Sequence, residues 1–228
     1  MADSPLALGF LSDVAQSSYY PGNYQLSEEE LAEISRFMEE NSIYPENTRV
    51  YKHIVEDRVV YDILQASTQE DLKPLLLQDA RDGVIRLVRG DHGKELTCIC
   101  SSLCEARKHA ANSTQESFLL SCEDSFRSGS IEAYKESQKL WVKDLQPSVE
   151  VIMGFVEPYR DPMGIRAEFE GMVAITNKKE TETLTKLVDN SDQFIRRLPW
   201  AMDYTENNGK GPFEKELFEK PDFTSLHS

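Results

Sequence analysis

The four histidines are the residues best suited to bind a catalytic metal ion, and they lie at His53, His92, His109 and His227. A zinc peptidase helix places two histidines four positions apart, with a glutamate beside the first, so that both rings reach one ion. No two histidines of this chain have that spacing, even with one residue inserted. His53 and Glu56 are close in sequence, but they belong to a segment of strand composition, in which they would face opposite sides. The sequence therefore predicts no zinc motif and no metal ligands.

Cysteine and serine chemistry has equally little support. The four cysteines, Cys98, Cys100, Cys104 and Cys122, lack the paired Cys-x-x-Cys spacing of a structural zinc site. On a helix, Cys100 and Cys104 would share a face that Cys98 does not, so we interpret them as reduced, partly buried thiols, with a metal site as the alternative. There is no Gly-x-Ser-x-Gly nucleophile elbow and no glycine-rich phosphate loop.

An apolar strand predicted over Val149 to Tyr159 carries the most suggestive residues. Alternation along a strand places Glu150 and Ile152 on the same side. A glycine inside such a strand weakens pairing, so Gly154 indicates a bulge or close approach by another backbone. Glu150 beside it can bind a cation, such as the N-terminal ammonium of a peptide. The alternative is that Glu150 and Glu157 lie on a solvated face of a sheet.

The first half of the chain shows the elements that must position this strand. Ser27 and Glu30 have the spacing of a capping box, which predicts a helix ending near Asn41. Runs of β-branched and aromatic residues then predict a hairpin, and the pattern continues with a brief helix and a third strand. The corresponding ranges are Thr48 to Val55 and Arg58 to Ala66 for the hairpin, Gln69 to Asp79 for the helix, and Val84 to Gly90 for the strand.

The second half is helical before it returns to strands. Residues 93–144 predict helices broken at Gly129 and Ser130, and a strand over Glu168 to Thr176 follows the apolar strand described above. Asn177 then caps a helix that Pro199 ends. We predict an α+β fold of about five mostly antiparallel strands, forming a small barrel or curved sheet flanked by helices. Its divisions would be a leader over 1–25, a lobe over 26–200 and a polar tail over 201–228.

The net charge of the chain and the length of its apolar runs indicate which classes of partner it can bind. The formal net charge is −15, from 40 acidic against 25 basic residues. Such a chain repels phosphate groups, so nucleic acid and anionic membranes are poor partners, although the charge also simply favours solubility. No apolar run approaches the roughly 18 residues that span a bilayer, and the first residues do not resemble a signal peptide. We therefore expect a cytoplasmic, acidic protein.

Longer motifs add a family resemblance. Gly154 to Pro162 reads GFVEPYRDP, which resembles the Gly-Phe-Ile-Glu-Ser/Thr-Tyr-Arg-Asp-Pro signature of the dipeptidyl peptidase III family. Arg166 to Ala174 continues the resemblance to that family's Arg-Gly-Glu-Phe-Glu-Gly-Phe-Val-Ala. The resemblance covers most of the chain from about Tyr20 onward and is strongest from Ala111 to Ala174. Further similar segments are Ala111 to Ser113, Gly129 to Trp141, Leu198 to Trp200 and Pro221 to Leu226.

The resemblance implies a two-lobed zinc exopeptidase that removes dipeptides from the N-termini of oligopeptides. One lobe would contain a five-stranded β-barrel, and a helical lobe would hold zinc in a His-Glu-x-x-Gly-His motif, which this chain lacks. Peptides would bind as an added strand.

Position by position, the resemblance makes Glu150 the residue that binds the peptide ammonium, with Gly154, Glu157 and Tyr159 as further substrate-binding residues. Ile152 replaces the tyrosine whose hydroxyl stabilises the oxyanion, and the loss of one such donor typically costs about 2.7–4 kcal/mol of transition-state stabilisation.

Three hypotheses follow. The first is a truncated or non-catalytic relative (a pseudoenzyme) that corresponds to part of the peptide-binding lobe, is inactive by itself, contains no zinc and binds oligopeptides. In the second, a separate helical zinc lobe completes a dipeptidyl aminopeptidase. The third is a non-enzymatic scaffold that binds a protein partner, because a fold does not fix a function.

Overall fold

The computed structural model describes residues 17–71, 75–80, 83–145, 147–199 and 224–227. Within these residues the chain has an α+β fold, and its contacts divide it into two units. The first unit comprises Met1–Asp144 and Met153–Gly171, and the second comprises Leu145–Ile152 and Met172–Ser228. The elements in chain order are α1 (Glu28–Glu40), β1 (Thr48–Val55), β2 (Arg58–Ala66), β3 (Leu75–Ala80), β4 (Gly83–Asp91), α2 (Gly93–Arg107), α3 (Ser113–Ser128), α4 (Ile131–Trp141), β5 (Val149–Val156), β6 (Glu168–Thr176), α5 (Lys178–Asp189), α6 (Ser191–Ile195) and β7 (Leu226–His227).

Helix α1 begins at the predicted capping box. Ser27 Oγ accepts a hydrogen bond from the Glu30 amide at 3.2 Å, and Glu30 Oε2 accepts one from the Ser27 amide at 2.7 Å. Each side chain thus accepts a hydrogen bond from the other residue's backbone amide, so the predicted capping box is confirmed. The apolar face of α1 is buried in the main core of the first unit, together with side chains from β1, β2 and β4. That core contains Tyr20, Leu26, Leu31, Ile34, Phe37, Met38, Val50, Tyr61, Ile63 and Ile85.

The first sheet has the strand order β1-β2-β4-β3. Strands β1 and β2 form the predicted antiparallel hairpin, with Thr48 opposite Gln65 and Val55 opposite Arg58. Strand β2 then pairs in parallel with β4, and β3 pairs antiparallel with β4. The positive φ angles of Glu56 and Asp57, 49° and 64°, supply the tight turn of the hairpin.

The helix predicted over Gln69 to Asp79 is wrong, because Leu75–Ala80 form the strand β3. Two features explain the error. Pro74 lies inside the predicted helix, where it disfavours helical geometry in its neighbours. The leucine run after it pairs with β4, so pairing with a distant strand overrides the local helix propensity of the polar residues before it.

The second sheet has the order β5-β6-β7, and β5 and β6 cover two segments predicted as strands. The prediction ran the first of them to Tyr159, but β5 ends at Val156 and a short 3-10 turn covers Pro158–Arg160. Asn177 caps α5 as predicted, by accepting a hydrogen bond from the Glu180 amide at 3.1 Å. The helix predicted to reach Pro199 is interrupted at Asn190, after which α6 is a single short turn.

The predicted barrel is not observed. Seven described strands, rather than about five, are divided between two sheets, and in the described residues each sheet has two edge strands. Closure requires the first and last strands of a sheet to pair, and a count of strands in a sequence carries no information on that pairing. The described helices include none both long and apolar enough to cross a bilayer.

Helices α2 to α4 pack in sequence, α3 against both neighbours. The predicted break at Gly129 and Ser130 is confirmed between α3 and α4. Asn112 and Ser130 cap α3 and α4, and Gly129 has the positive φ of 75° that ends α3. On α2, Cys98 is exposed, whereas Cys100 and, on α3, Cys122 are buried as free thiols.

We expect these thiols to react in order of their exposure. Burial raises the pKa of Cys122 to about 11, so very little of it is the reactive thiolate near neutral pH. Iodoacetamide should modify Cys98 first and Cys122 about 100-fold more slowly. Peptide mass spectrometry over time would measure the order, and unfolding in urea should equalise the rates. Equal rates in the folded protein would contradict the packing of α2 against α3.

Candidate functional site

Strand β5 carries two of the four predicted peptide-binding residues, Glu150 and Gly154, and lies at an edge of the second sheet. Glu150, in the second unit, is half-buried, and its Oε1 accepts a hydrogen bond from the Val151 amide at 3.0 Å. Ile152, two residues further on, is 42% exposed. An edge strand leaves one row of backbone groups for another chain to pair with. The described geometry therefore combines a carboxylate with a strand at the end of the strand order of its sheet.

Gly154 lies in the first unit, and its environment explains why no side chain is present there. A Cβ atom built on Gly154 would lie 2.6 Å from Tyr134 Oη. Tyr134 cannot easily move away, because its ring packs edge-to-face on Phe155 and Phe169, with centroid separations of 5.1 and 6.4 Å. The group that lies close to Gly154 is therefore a tyrosine side chain, whereas the sequence predicted a bulge or the approach of another backbone.

Replacing Gly154 with alanine is expected to destabilise the protein by about 1–3 kcal/mol, because the new methyl group overpacks against the Tyr134 hydroxyl. Tyr134→Phe removes that oxygen and should restore part of the loss in the double variant. Urea unfolding of the four proteins in the cycle measures the coupling. Simple additivity of the two single effects would rule out the contact with Tyr134 as the cause.

The remaining two predicted residues belong to the 3-10 turn after β5, with Glu157 directly before it and Tyr159 at its centre. Glu157 is exposed and has a left-handed backbone with φ of 52°. The side chain of Tyr159 lies outside the described part of the chain. Glu150 and Ile152 belong to one unit and Gly154, Glu157 and Tyr159 to the other, so the structure describes their surroundings separately.

The same motif also contains a buried charge pair to which the sequence reasoning gave no role. The Arg166 side chain is fully buried, and its Nη1 lies 3.7 Å from Asp161 Oδ2. Asp161 also accepts hydrogen bonds from the amides of Met163, Ile165 and Arg166, at 3.2, 3.1 and 2.8 Å. Asp161 thereby fixes the loop between β5 and β6.

Tyr20 ties the start of the described chain to this pair. Its hydroxyl donates to Asp161 Oδ1, and the Arg166 guanidinium carbon lies 5.5 Å from the centre of its ring. Burial, opposed by Arg166 and reinforced by the bond to Asp161, raises the pKa of Tyr20 well above its usual range. The available sequence signal was an aspartate and an arginine five residues apart in one motif, which does not show that both are buried.

Zinc does not fit the described residues. Across ranges 17–71, 75–80, 83–145, 147–199 and 224–227, no three His, Cys, Asp or Glu side chains come together as a metal site. His53 instead lies 2.9 Å from Asp62, which also binds Arg86 at 2.6 Å. His109 is exposed.

Comparison with known proteins identifies the family of this chain. The model of peptidase family M49 matches residues 1–228. Dipeptidyl peptidase 3 of Dictyostelium discoideum is 40% identical over 210 residues, which are 92% of this chain and 28% of the relative. Dipeptidyl peptidase 3 of Homo sapiens is 34% identical over 219 residues, again 92% of this chain and 28% of the relative.

A solved structure of DPP III from Caldithrix abyssi matches with a TM-score of 0.51 at 20% identity. The match covers 83% of this chain and 31% of that one, and shows a related fold. The chain therefore spans less than a third of the length of the relatives it matches. Because the family model matches residues 1–228 of this chain, the chain belongs to peptidase family M49.

Proposed function

We propose that this chain corresponds to part of the peptide-binding lobe of an M49 peptidase, and that it binds the N-terminal end of oligopeptides without hydrolysing them by itself. The observation that carries the proposal is the position of Glu150 on β5, an edge strand of the second sheet. Edge strands bind extended peptides by adding them as a further strand, and main-chain hydrogen bonds then give affinity with little sequence preference.

Charge supports the same ligand. A peptide with a free N-terminus carries an ammonium group, which a carboxylate attracts. Glu150, the second residue of β5, supplies a carboxylate of this kind, and the net charge of −15 favours the approach of cationic groups. An acetylated peptide has lost the ammonium charge and should bind more weakly.

Two features of the chain support the proposal that it is inactive by itself. Hydrolysis by a zinc peptidase requires a bound ion and a base that activates its water. The described residues contain no cluster able to hold the ion. Ile152, at the position of the family's oxyanion tyrosine, has no hydrogen to donate.

Calorimetric titration with a tetrapeptide tests the binding half of the proposal. Glu150→Gln retains the shape of the side chain and removes its charge, so we expect an affinity about 10- to 100-fold lower. Glu182→Gln is the matched control, because Glu182 is an exposed glutamate of α5 in the same unit. If wild type and Glu150→Gln bind the peptide equally, or neither binds it, the proposed role of Glu150 is wrong.

A second candidate is one part of a two-chain dipeptidyl aminopeptidase. The observation in its favour is that the chain spans less than a third of each relative. In this candidate, another polypeptide would supply the zinc-binding part of the family sequence. Such a complex should contain zinc and release dipeptides from a peptide substrate. A complex without turnover would leave only the binding function.

A further inference from the structure

The first unit contains a pocket at the C-terminal end of α1, which we call the α1 pocket. Its volume is about 420 Å³, and it is lined by the last turns of α1, the loop that leads to β1, and Ile165 from the loop between β5 and β6. All of these residues belong to the first unit. Met38 is only 2% exposed, and Ile43 and Ile165 are half-buried, whereas Glu39 and Ser42 are exposed. The α1 pocket thus has an apolar interior and a polar rim.

Hydrogen bonds hold the walls of the α1 pocket in place. The backbone turns back after α1 at Ser42, whose φ is 56°, and the Ile43 amide then donates to the Met38 carbonyl at 2.8 Å. The Pro45 carbonyl accepts hydrogen bonds from the amide and the hydroxyl of Thr48, at 3.0 and 2.9 Å. Because these bonds are made within the chain itself, a ligand has little of the pocket left to order, which favours binding.

The charge at this end of α1 is the reverse of the usual pattern. The C-terminal end of a helix carries a partial negative charge, which normally attracts lysine or arginine. The last turn of α1 contains Glu39 and Glu40 and no basic residue. Of these two carboxylates, that of Glu39 belongs to a residue that lines the α1 pocket. The helix end and Glu39 therefore both give the pocket a negative potential.

A lysine contacts one wall of the pocket, but it already has a carboxylate of its own. Tyr44 lines the pocket, and its hydroxyl donates to Glu132 Oε1 at 2.7 Å. Lys135 Nζ lies 4.2 Å from the centre of the Tyr44 ring and 3.0 Å from the same Glu132 oxygen. Glu132 therefore balances the charge of Lys135, and that of Glu39 is left uncompensated.

An arginine behind the pocket is balanced in the same way. Arg166 Nη2 lies 3.6 Å from Met38 Sδ, at the buried side of the pocket. Its guanidinium group pairs with Asp161 and has no solvent exposure. The positive charge of Arg166 is thus opposed by Asp161 before it can offset Glu39.

We propose that the α1 pocket is a binding site for small organic amines, in which a protonated amino group is attached to an apolar body. The ammonium group pairs with Glu39, and the apolar body contacts Met38, Ile43 and Ile165. A volume of about 420 Å³ is near the lower end of the range for ligand pockets, so the site suits one ring with a short alkyl chain. The site shares no residue with the proposed peptide site, so the two proposals fail independently.

NMR of the methionine methyl groups in the 228-residue chain tests the proposal, because Met38 lines the pocket and Met172 belongs to the other unit. Phenethylamine should shift the Met38 signal in a saturable way, with a Kd of about 1 mM, and leave the Met172 signal unchanged. The compound 2-phenylethanol has the same body without the charge, so it should bind at least about 10-fold more weakly. Phenylacetate carries the opposite charge and should not bind.

Glu39→Gln should lower the affinity for phenethylamine about 10-fold, to that of 2-phenylethanol. Glu40→Gln is the matched control, because it removes the same charge from the same turn of α1 at a residue that does not line the pocket. Its affinity should stay within about 2-fold of wild type. The absence of a saturable Met38 shift, equal affinities for the three compounds, or equal affinities of the two variants would each overturn the proposal. A Met38 shift that grows with protein concentration alone would also overturn it, by identifying a second copy of the chain as the occupant.

Discussion

Replacing Arg166 with methionine is expected to lower the free energy of unfolding by about 3–5 kcal/mol. Methionine matches much of the aliphatic volume of arginine, so little packing is lost. The substitution removes the positive charge of Arg166 and leaves the Asp161 carboxylate without its partner. In the wild type, neither side chain of this pair is exposed to solvent. A buried charge without its partner is among the most destabilising single changes in a protein.

We expect Arg166→Met to lower the free energy of unfolding by more than the ion pair itself contributes, because other groups still hold Asp161 in its buried position. Asp161 keeps its hydrogen bonds from Tyr20 and three backbone amides, so its carboxyl group is held in place beside the uncharged methionine. The double variant Asp161→Asn/Arg166→Met removes both charges, so it should recover part of the stability lost by Arg166→Met.

Arg160→Met provides the control for this measurement. Arg160 lies in the same loop and pairs with Glu168 at 2.6 Å, but both side chains are more than a quarter exposed. A solvent-exposed pair contributes about 0–1 kcal/mol. Urea unfolding at constant pH compares the three variants. Equal, small losses for Arg166→Met and Arg160→Met would show that Arg166 is not buried with Asp161.

A second large effect is expected in catalysis. Against full-length Dictyostelium discoideum dipeptidyl peptidase 3 as a positive control, the isolated 228-residue chain should release dipeptides at least about 10⁶-fold more slowly, which is the low end of enzymatic rate enhancement. Ile152→Tyr restores the hydroxyl at a position that is 42% exposed and therefore has room for a larger side chain. We expect no turnover from that variant either.

The physical reason is that an oxyanion donor acts only on charge that develops during attack by an activated nucleophile. Its typical effect of about 2.7–4 kcal/mol is realised when the metal and the base are in place. Hydrolysis of a dipeptidyl-naphthylamide substrate measures the turnover of the wild-type chain and of Ile152→Tyr. Turnover by Ile152→Tyr but not by wild type would show that the other catalytic groups are present and that only the donor was lacking.

Local signals predicted much of the fold. The capping box at Ser27 and Glu30, the hairpin of β1 and β2, and the Asn177 cap all depend on residues close in sequence, and all are observed. The wrong elements depend on distant partners. β3 becomes a strand because β4 pairs with it, and sheet closure depends on which edge strands meet.

In the candidate site, too, the features set by neighbouring residues were predicted and those set by distant residues were not. Strand composition and the motif located Glu150, Ile152 and Gly154 on β5. The sequence could not identify what contacts Gly154, since Tyr134 is twenty residues away on α4. Nor could it show that Arg166 is buried, because the groups around it come from three separate segments, at Tyr20, Met38 and Asp161.

Zinc stoichiometry, measured together with dipeptide release on the purified 228-residue chain, tests the central claim most directly. After equilibration with zinc and removal of loosely bound ions, the chain should retain far less than one ion per molecule and release no dipeptide from a tetrapeptide. One tightly held zinc ion per chain together with dipeptide release would contradict the account.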